Sequence, residues 1–207
     1  MKFLVNKIGA IVKLVVNMFY DKKLVGDMKV LKKDILPVYN WSTTVQSVDY
    51  LYIQKSLENF SIEEGDIVLD LGSGKGRILL YLNYIYKRKN IQLIGAEISD
   101  EAFLISKELL EGSNVFLFHV NAIEHNFIIE NKINKLILFN PFNPEVFKEF
   151  IDYIAENIKY KFEFLYINIS SEQLKVIKQL QIKYIKYELD YPFYGINDKV
   201  NIVGYLN

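Results

Sequence analysis

From residue 67 onward, the chain alternates between short β-branched runs and longer segments of helical periodicity. This alternation is typical of βαβ units, in which helices join parallel strands and cover both faces of the sheet. Seven strands are predicted, at residues 67–71, 91–96, 115–120, 135–139, 162–169, 182–189 and 199–206. Helices are predicted at residues 77–87, 100–111, 122–130, 144–158 and 171–180. Only a turn-rich aromatic segment separates the last two strands, so we expect them to form an antiparallel hairpin.

Composition narrows the class of protein further. The 207 residues include 51% apolar side chains and four prolines, which predicts one substantial globular domain. The absence of cysteine excludes disulfides, cysteine-ligated metals and thiol nucleophiles, and fits a cytoplasmic protein. With two histidines, a metal cage built from protein ligands is not expected. The formal net charge is zero, which argues against an extended phosphate-binding surface and against nucleic acid as a partner.

The amino-terminal segment differs from the rest of the chain, because residues 1–40 carry a local charge of +5. Residues 1–23 have no uninterrupted apolar run long enough to span a membrane, and their polar residues fall on one side of a helical projection. An amphipathic helix is therefore predicted. The favoured interpretation is that it caps the main domain, and the alternative is a weak membrane contact through its lysines. We predict a helical extension over residues 1–60 and the main domain over residues 61–207.

The segment after the first predicted strand points most directly to a ligand. It reads Asp70-Leu-Gly72-Ser-Gly74-Lys-Gly76-Arg77. Glycines at alternate positions allow a tight turn in which the backbone approaches a ligand closely. Residue 77 is arginine where a dinucleotide fingerprint needs glycine, and the Gly-Lys-Ser/Thr ending of a phosphate loop is missing, so a nicotinamide-dependent enzyme is the weaker alternative. An acidic residue before the turn suits an ammonium group better than a pyrophosphate.

The next three predicted strands also end in polar residues. Glu97 follows the second strand, where a carboxylate can accept hydrogen bonds from both hydroxyls of a ribose. Asn121 follows the third strand and can pair with an adenine edge, and Asn140 follows the fourth. Because open parallel sheets bind ligands at the carboxyl ends of their strands, these positions predict one nucleotide-like binding site.

On these residues, the chain from about residue 60 to residue 206 resembles the class I S-adenosylmethionine-dependent methyltransferases, in particular small bacterial members of uncharacterised substrate. The resemblance implies an α/β fold with a Rossmann-like, seven-stranded, mainly parallel sheet of order 3-2-1-4-5-7-6, its last strand antiparallel, and helices on both faces. It also implies S-adenosylmethionine as the cofactor. The implied contacts are Asp70, Gly72, Ser73, Gly74 and Gly76 for the methionine portion, Glu97 for the ribose, Ile98 and Ala122 for the adenine faces, and Asn121 for the adenine edge.

The run Asn140-Pro141-Phe142 resembles the Asn-Pro-Pro-Tyr/Phe run of amino-methyltransferases, in which the asparagine bonds the target nitrogen and the aromatic ring stacks on it. The second proline is missing here, which argues against a nucleobase amino group and leaves a lysine, a glutamine amide or a small amine as acceptors. Asn140 and Phe142 are the expected catalytic residues, and Asn140 is also expected at the cofactor. The alternative function is a module that binds S-adenosylmethionine as a sensor or assembly element without turnover.

Two further segments have both a functional and a structural interpretation. Trp41, Thr43 and Thr44 are candidate lid residues, although a cap for a helix predicted near residues 45–60 is slightly favoured. The aromatic residues 191–194 are suited to form the wall of an acceptor pocket or to pack within the hairpin.

Four charged or titratable residues are assigned no catalytic role. Lys75 and Arg77 are expected at a solvated helix start. His119 and His125 are expected to be ordinary surface or packed residues. The proposed chemistry needs neither histidine, because methyl transfer from a sulfonium requires mainly alignment of the acceptor and exclusion of water.

Overall fold

The computed structural model describes residues 2–26, 35, 45, 47–121, 123–124, 126–191 and 196–206. The helices are α1 (Lys2–Leu24), α2 (Tyr50–Leu57), α3 (Arg77–Ile85), α4 (Asp100–Leu109), α5 (Phe127–Glu130), α6 (Pro144–Asn157) and α7 (Ser171–Gln179). The strands are β1 (Ile67–Leu71), β2 (Gln92–Glu97), β3 (Val115–His119), β4 (Lys135–Phe139), β5 (Phe162–Ile167), β6 (Lys183–Tyr191) and β7 (Ile196–Leu206).

The strands form one sheet in the order β3-β2-β1-β4-β5-β7-β6. Neighbours from β3 to β5 are parallel, whereas β7 is antiparallel to both β5 and β6. The predicted order and the closing hairpin are confirmed. The two hairpin strands are longer than predicted, because pairing continues to Tyr191 and Ile196 across an irregularity that follows Leu189.

Two helices are shorter than their periodicity predicts. The helix expected near residues 45–60 is α2, which starts at Tyr50 because Asp49 before it has an extended backbone. The helix expected at residues 122–130 is the four-residue α5. A turn precedes it, in which the Glu124 N–H donates to the Asn121 carbonyl at 3.0 Å.

Alternating side chains of the central strands face two hydrophobic cores, one on each side of the sheet. Leu136 and Leu138 of β4 belong to the same core as Phe147 of α6. Ile137, between them, belongs to the opposite core together with Leu79 of α3. Because successive strand residues point to opposite faces, a continuous apolar strand requires helices on both faces, as the sequence predicted.

Side-chain caps fix how the chain leaves several strands. Ser99 caps α4, Asn143 caps α6 just before Pro144, and Ser170 forms a capping box with Gln173 at the start of α7. Each cap satisfies a backbone N–H in the first turn of its helix, which would otherwise lack a partner. The loops after β2, β4 and β5 are thereby held at the carboxyl edge of the sheet.

Helix α1 packs on the domain through the apolar side chains of Val16, Tyr20 and Leu24 and also through polar groups. The fully buried Asp21 carboxylate accepts hydrogen bonds from the Arg77 guanidinium at 2.9 and 3.2 Å. Arg77 also donates to the Val48 carbonyl at 3.1 Å, and the Asn17 side chain accepts the Tyr50 N–H at 3.0 Å. Neither α1 nor any other helix in the described ranges is both long enough and apolar enough to cross a membrane.

The expectation that Lys75 and Arg77 are solvated is wrong, because the structure leaves them only 2% and 6% exposed. Arg77 is buried against Asp21, which is 56 residues away, so no local sequence pattern indicates the pairing. Lys75 lies in the turn between Gly74 and Gly76, on the wall of the cavity described below.

Replacing Asp21 with alanine is expected to lower the free energy of unfolding by about 3–5 kcal/mol, because the Arg77 guanidinium stays buried without its counter-charge. Urea unfolding followed by circular dichroism measures the change. Asp152→Ala is the matched control, since Asp152 pairs with Lys148 on an exposed side of α6, where such pairs contribute about 0–1 kcal/mol. Equally small effects of the two substitutions would contradict the buried pairing.

Candidate functional site

A cavity of about 390 Å³ lies at the carboxyl ends of the central strands. Residues that end or directly follow β1, β2, β3, β4 and β5 form its wall. Its size falls within the range of about 300–1,000 Å³ that is usual for small-molecule sites. Open α/β sheets bind their ligands at this edge, so the cavity is the candidate functional site.

The structure brings most of the predicted site residues together on this wall. They are Asp70, Gly72, Ser73, Gly74, Glu97, Ile98, Asn121, Asn140 and Phe142. Gly76 is not on the wall; it is the N-cap residue before α3 and has a left-handed conformation, with a φ of 80°. The remaining candidates, Ala122, Trp41, Thr43, Thr44, His125 and residues 192–194, lie outside the described residues.

Asp70 is a buried carboxyl group that lacks a complete set of partners. It is 2% exposed, and its Oδ2 atom has no hydrogen-bond partner. Burial, reinforced by the negative charge of Glu97, raises the pKa of the Asp70 carboxyl from 3.8 to about 8. A buried carboxylate without a counter-charge is unfavourable, because it has lost its hydration. This point of the cavity therefore favours a positively charged hydrogen-bond donor.

Glu97, in contrast, is already bonded by the backbone. Its Oε2 atom accepts the Gly74 N–H at 2.7 Å, and its Oε1 atom accepts the N–H groups of Ile98 and Ser99 at 2.9 and 2.8 Å. A carboxylate offers about four acceptor positions, so one is left on Oε2. Glu97 can thus accept a hydrogen bond from one ribose hydroxyl while it keeps its three backbone bonds. From the sequence we expected it to bind both ribose hydroxyls.

Backbone hydrogen bonds explain why the two acidic groups share one cavity. The N–H groups of Gly72 and Ser73 both donate to the Ala96 carbonyl, at 2.9 and 3.1 Å. The turn after β1 is thereby tied to the end of β2, one residue before Glu97. This connection holds Asp70 and Glu97 on the same side of the sheet edge.

The close approach of two loops depends on Gly72. This residue has a φ of 73°, and a Cβ atom there would lie 3.0 Å from the Cβ atom of Pro141. Glycine therefore meets both a backbone and a packing requirement at this position. The contact sets the loop after β4 directly against the turn after β1.

Asn140 and Phe142 flank Pro141 and are held differently. Asn140 has a φ of 47°, a left-handed conformation that asparagine adopts more readily than most residues. Phe142 is 2% exposed, and its ring centroid lies 5.5 Å from that of Phe150 in the core. Its carbonyl accepts a hydrogen bond from the Gln173 side chain at 3.0 Å. Phe142 thus anchors the loop in the core while contributing to the cavity wall.

The part of the wall near β3 is largely apolar. Ile98, Val120 and Ile123 contribute to it, together with Asn121, whose amide nitrogen donates to Glu124 at 2.8 Å. The cavity therefore has carboxyl groups on one part of its wall and apolar side chains on another. Within the ranges that the structure describes, no three acidic or histidine side chains are placed to hold a metal ion.

Several wall residues were not predicted from the sequence, among them Asn168 and Lys75. Asn168 follows β5 with a φ of 59°, and its N–H donates to the Asn201 side chain at 2.9 Å. The predicted fifth strand continued to residue 169, so the sequence did not indicate that Asn168 directly follows a strand, as Asn140 does. Lys75 was missed because its burial has no signal in the local sequence.

The fold is similar to that of solved methyltransferases. The precorrin-6y C5,15-methyltransferase of Geobacter metallireducens gives a TM-score of 0.58 at 11% identity, over 75% of this chain and 88% of that one. An RNA methyltransferase of Salinibacter ruber, solved with S-adenosyl-L-homocysteine, gives 0.54 at 16% identity, over 77% and 92%. A SAM-dependent methyltransferase of Aquifex aeolicus gives 0.55 at 13% identity, over 75% and 89%.

These likenesses establish the fold. The chain has the fold of the S-adenosylmethionine-dependent methyltransferases, as its resemblance to the class I enzymes implied. No protein-family model matches the sequence, and no curated protein matches it.

Replacing Gly72 with alanine is expected to lower the free energy of unfolding by about 1–3 kcal/mol more than Gly112→Ala does, because only the first places a methyl group against Pro141. Gly112 is the matched control: its φ is 72°, and a Cβ atom there would have nothing within 4 Å. Urea unfolding of both variants measures the difference. Equal losses would contradict the close packing of the two loops.

Proposed function

We propose that this chain is a methyltransferase that uses S-adenosylmethionine and transfers the methyl group to a nitrogen of a protein side chain or small molecule. The observation that carries the proposal is the buried Asp70 carboxyl group, which has an unpartnered oxygen on the cavity wall. The ammonium group of a methionine moiety would supply both the charge and the donors that this oxygen lacks. The methyltransferase fold supports the same assignment.

The rest of the wall fits the other parts of the cofactor. Glu97 has one acceptor position left for a ribose hydroxyl, and Ile98, Val120 and Ile123 offer apolar surface to an adenine ring. Asn121 keeps its proposed place at the adenine edge, with its amide nitrogen already donating to Glu124. The remaining proposed contacts are Gly72, Ser73, Gly74 and Gly76 beside the methionine portion and Ala122 beside the adenine.

When bound, the cofactor supplies a methyl group on a positively charged sulfur, so the chain needs to align an acceptor with it and exclude water. We assign the alignment to Asn140. The side-chain carbonyl of Asn140 can accept a hydrogen bond from an N–H group of the molecule that receives the methyl group. This bond orients that molecule so that the lone pair of its nitrogen points away from the carbonyl. Phe142 limits the cavity beside it and keeps the loop anchored in the core.

This arrangement and the composition support the proposal of a nitrogen acceptor on a protein or small molecule. The amide side chain of Asn140 both accepts and donates hydrogen bonds, so it can bind a methyl acceptor that carries an N–H group. The similar structures include a precorrin and an RNA methyltransferase, so the fold accommodates different acceptors. The zero net charge of this chain still argues against a nucleic acid.

The experiment that tests the function is transfer of a labelled methyl group from S-adenosylmethionine to fractionated extract of the source organism. We expect label in a fraction of proteins or small amines, and none when Asp70→Asn replaces the wild-type chain. If the chain binds the cofactor but labels no fraction, the enzyme assignment is wrong and a non-catalytic binding module is the correct function. If label appears only in nucleic acid, the acceptor class is wrong.

On the acceptor so identified, Asn140→Gly is expected to reduce turnover by about 100-fold, because the acceptor is no longer positioned. Glycine is chosen because it adopts the φ of 47° at this position without strain. Gln181→Gly is the control: it also removes an amide side chain at a positive φ, 55°, but at an exposed site away from the cavity. Full turnover in the Asn140→Gly variant would remove Asn140 from the mechanism.

A further inference from the structure

Helix α1 directs an apolar stripe toward solvent. Ile11, Val15 and Phe19 are 61%, 58% and 58% exposed, and Ile8, Leu14 and Met18 extend the same stripe. The opposite side of the helix carries the polar groups Asn17 and Asp21, which bond to the domain. The side that faces the domain also carries Val16, Tyr20 and Leu24, which pack against the core, so α1 has apolar side chains on both its buried and its exposed side. A usual surface helix instead exposes mainly polar side chains.

Basic side chains border the stripe on both sides. At about 100° per residue, Lys7 and Lys23 lie about 80° to either side of Val15, and Lys22 lies near the centre at the carboxyl end. The acidic residue of α1 is Asp21, which is fully buried and paired with Arg77. The exposed part of α1 therefore combines apolar and positively charged groups.

The end of α3 continues this surface. The Lys23 ammonium donates to the Tyr84 hydroxyl at 2.6 Å and lies 4.5 Å from the centre of its ring. Tyr84 and Ile85 are exposed apolar residues, and the basic run at residues 87–89 follows them and is exposed as well. We call the stripe, its lysines and this end of α3 the basic apolar surface.

We propose that the basic apolar surface docks on an anionic phospholipid membrane, with α1 lying in the plane of the interface. Apolar side chains on such a helix enter the boundary between headgroups and acyl chains, while flanking lysines reach the lipid phosphates. Charge decides between this occupant and a second copy of the chain. Two copies of the basic apolar surface repel each other through their lysines, whereas an anionic bilayer attracts this surface. The proposal does not depend on methyltransferase activity.

The attachment of α1 favours this role. Its contacts through Asn17 and Asp21 hold the helix in place before any membrane is present, so docking requires little ordering of the chain. The same Arg77 that pairs with Asp21 lies on the cavity wall. Docking would therefore hold the cavity in a fixed relation to the membrane.

The test is co-sedimentation of the full chain with vesicles of phosphatidylcholine containing about one third phosphatidylglycerol, and with vesicles of phosphatidylcholine alone. We expect at least about tenfold stronger binding to the anionic vesicles, weakened by added salt. Val15→Asp should reduce this binding by at least about tenfold, because it places a charge in the apolar stripe. The control is Leu104→Asp in α4, where the side chain is 63% exposed but lies outside the basic apolar surface.

A second pair of variants separates charge from apolar contact. Lys22→Ala with Arg88→Ala should weaken binding by about fivefold for each cation removed. The matched control is Lys175→Ala with Lys178→Ala, which removes two exposed lysines of α7. Equal effects of the two double variants would overturn the proposed contact.

Three other outcomes would also overturn the proposal. One is that the wild-type chain binds neither kind of vesicle. Another is that Val15→Asp binds as strongly as the wild type. The third is a dimer in sedimentation velocity that Val15→Asp dissociates, without vesicle binding, since a second copy would then cover the stripe. Methyl-transfer assays are not part of this test, so its failure would leave the proposed function unaffected.

Discussion

Two acidic groups on the wall of one cavity, Asp70 and Glu97, form the constraint on which the proposed site depends. Three backbone N–H groups bond Glu97, so its charge is compensated by the fold itself. Asp70 has a buried oxygen with no partner, and burial together with Glu97 raises its pKa to about 8. A positively charged group of a ligand would give this oxygen the hydrogen-bond donor and the counter-charge that it lacks. Affinity for such a ligand and the protonation of Asp70 are therefore linked.

The geometry around these carboxyl groups is fixed by contacts between segments distant in sequence. The Ala96 carbonyl ties the turn after β1 to β2, and Pro141 packs where Gly72 has no side chain. On the other side, Arg77 joins the start of α3 to the buried Asp21 of α1. The amino-terminal helix is thus attached to the same segment that forms the cavity wall.

Sequence reasoning succeeded where a signal was local and failed where it was not. Periodicity predicted the strands and the closing hairpin, whereas the strand order was implied by the resemblance to the class I methyltransferases. The polar strand ends placed Asp70, Glu97 and Asn140 at one edge, because parallel strands share their carboxyl ends. Burial of Arg77 was not predictable, since its partner is 56 residues away. The three backbone donors on Glu97 were equally hidden, because they follow from how two loops meet in space.

The proposed contact between Asp70 and a ligand ammonium group is tested most directly by calorimetric titration of the chain with S-adenosyl-L-homocysteine between pH 6 and pH 7.5. If the ligand's ammonium group pairs with ionised Asp70, binding releases a proton, and affinity rises by up to about tenfold per pH unit below the pKa of Asp70. Asp70→Asn should bind weakly and without this pH dependence, while Asp152→Asn, at an exposed site, should match the wild type. Affinity that is independent of pH, or tight binding by Asp70→Asn, would contradict the account.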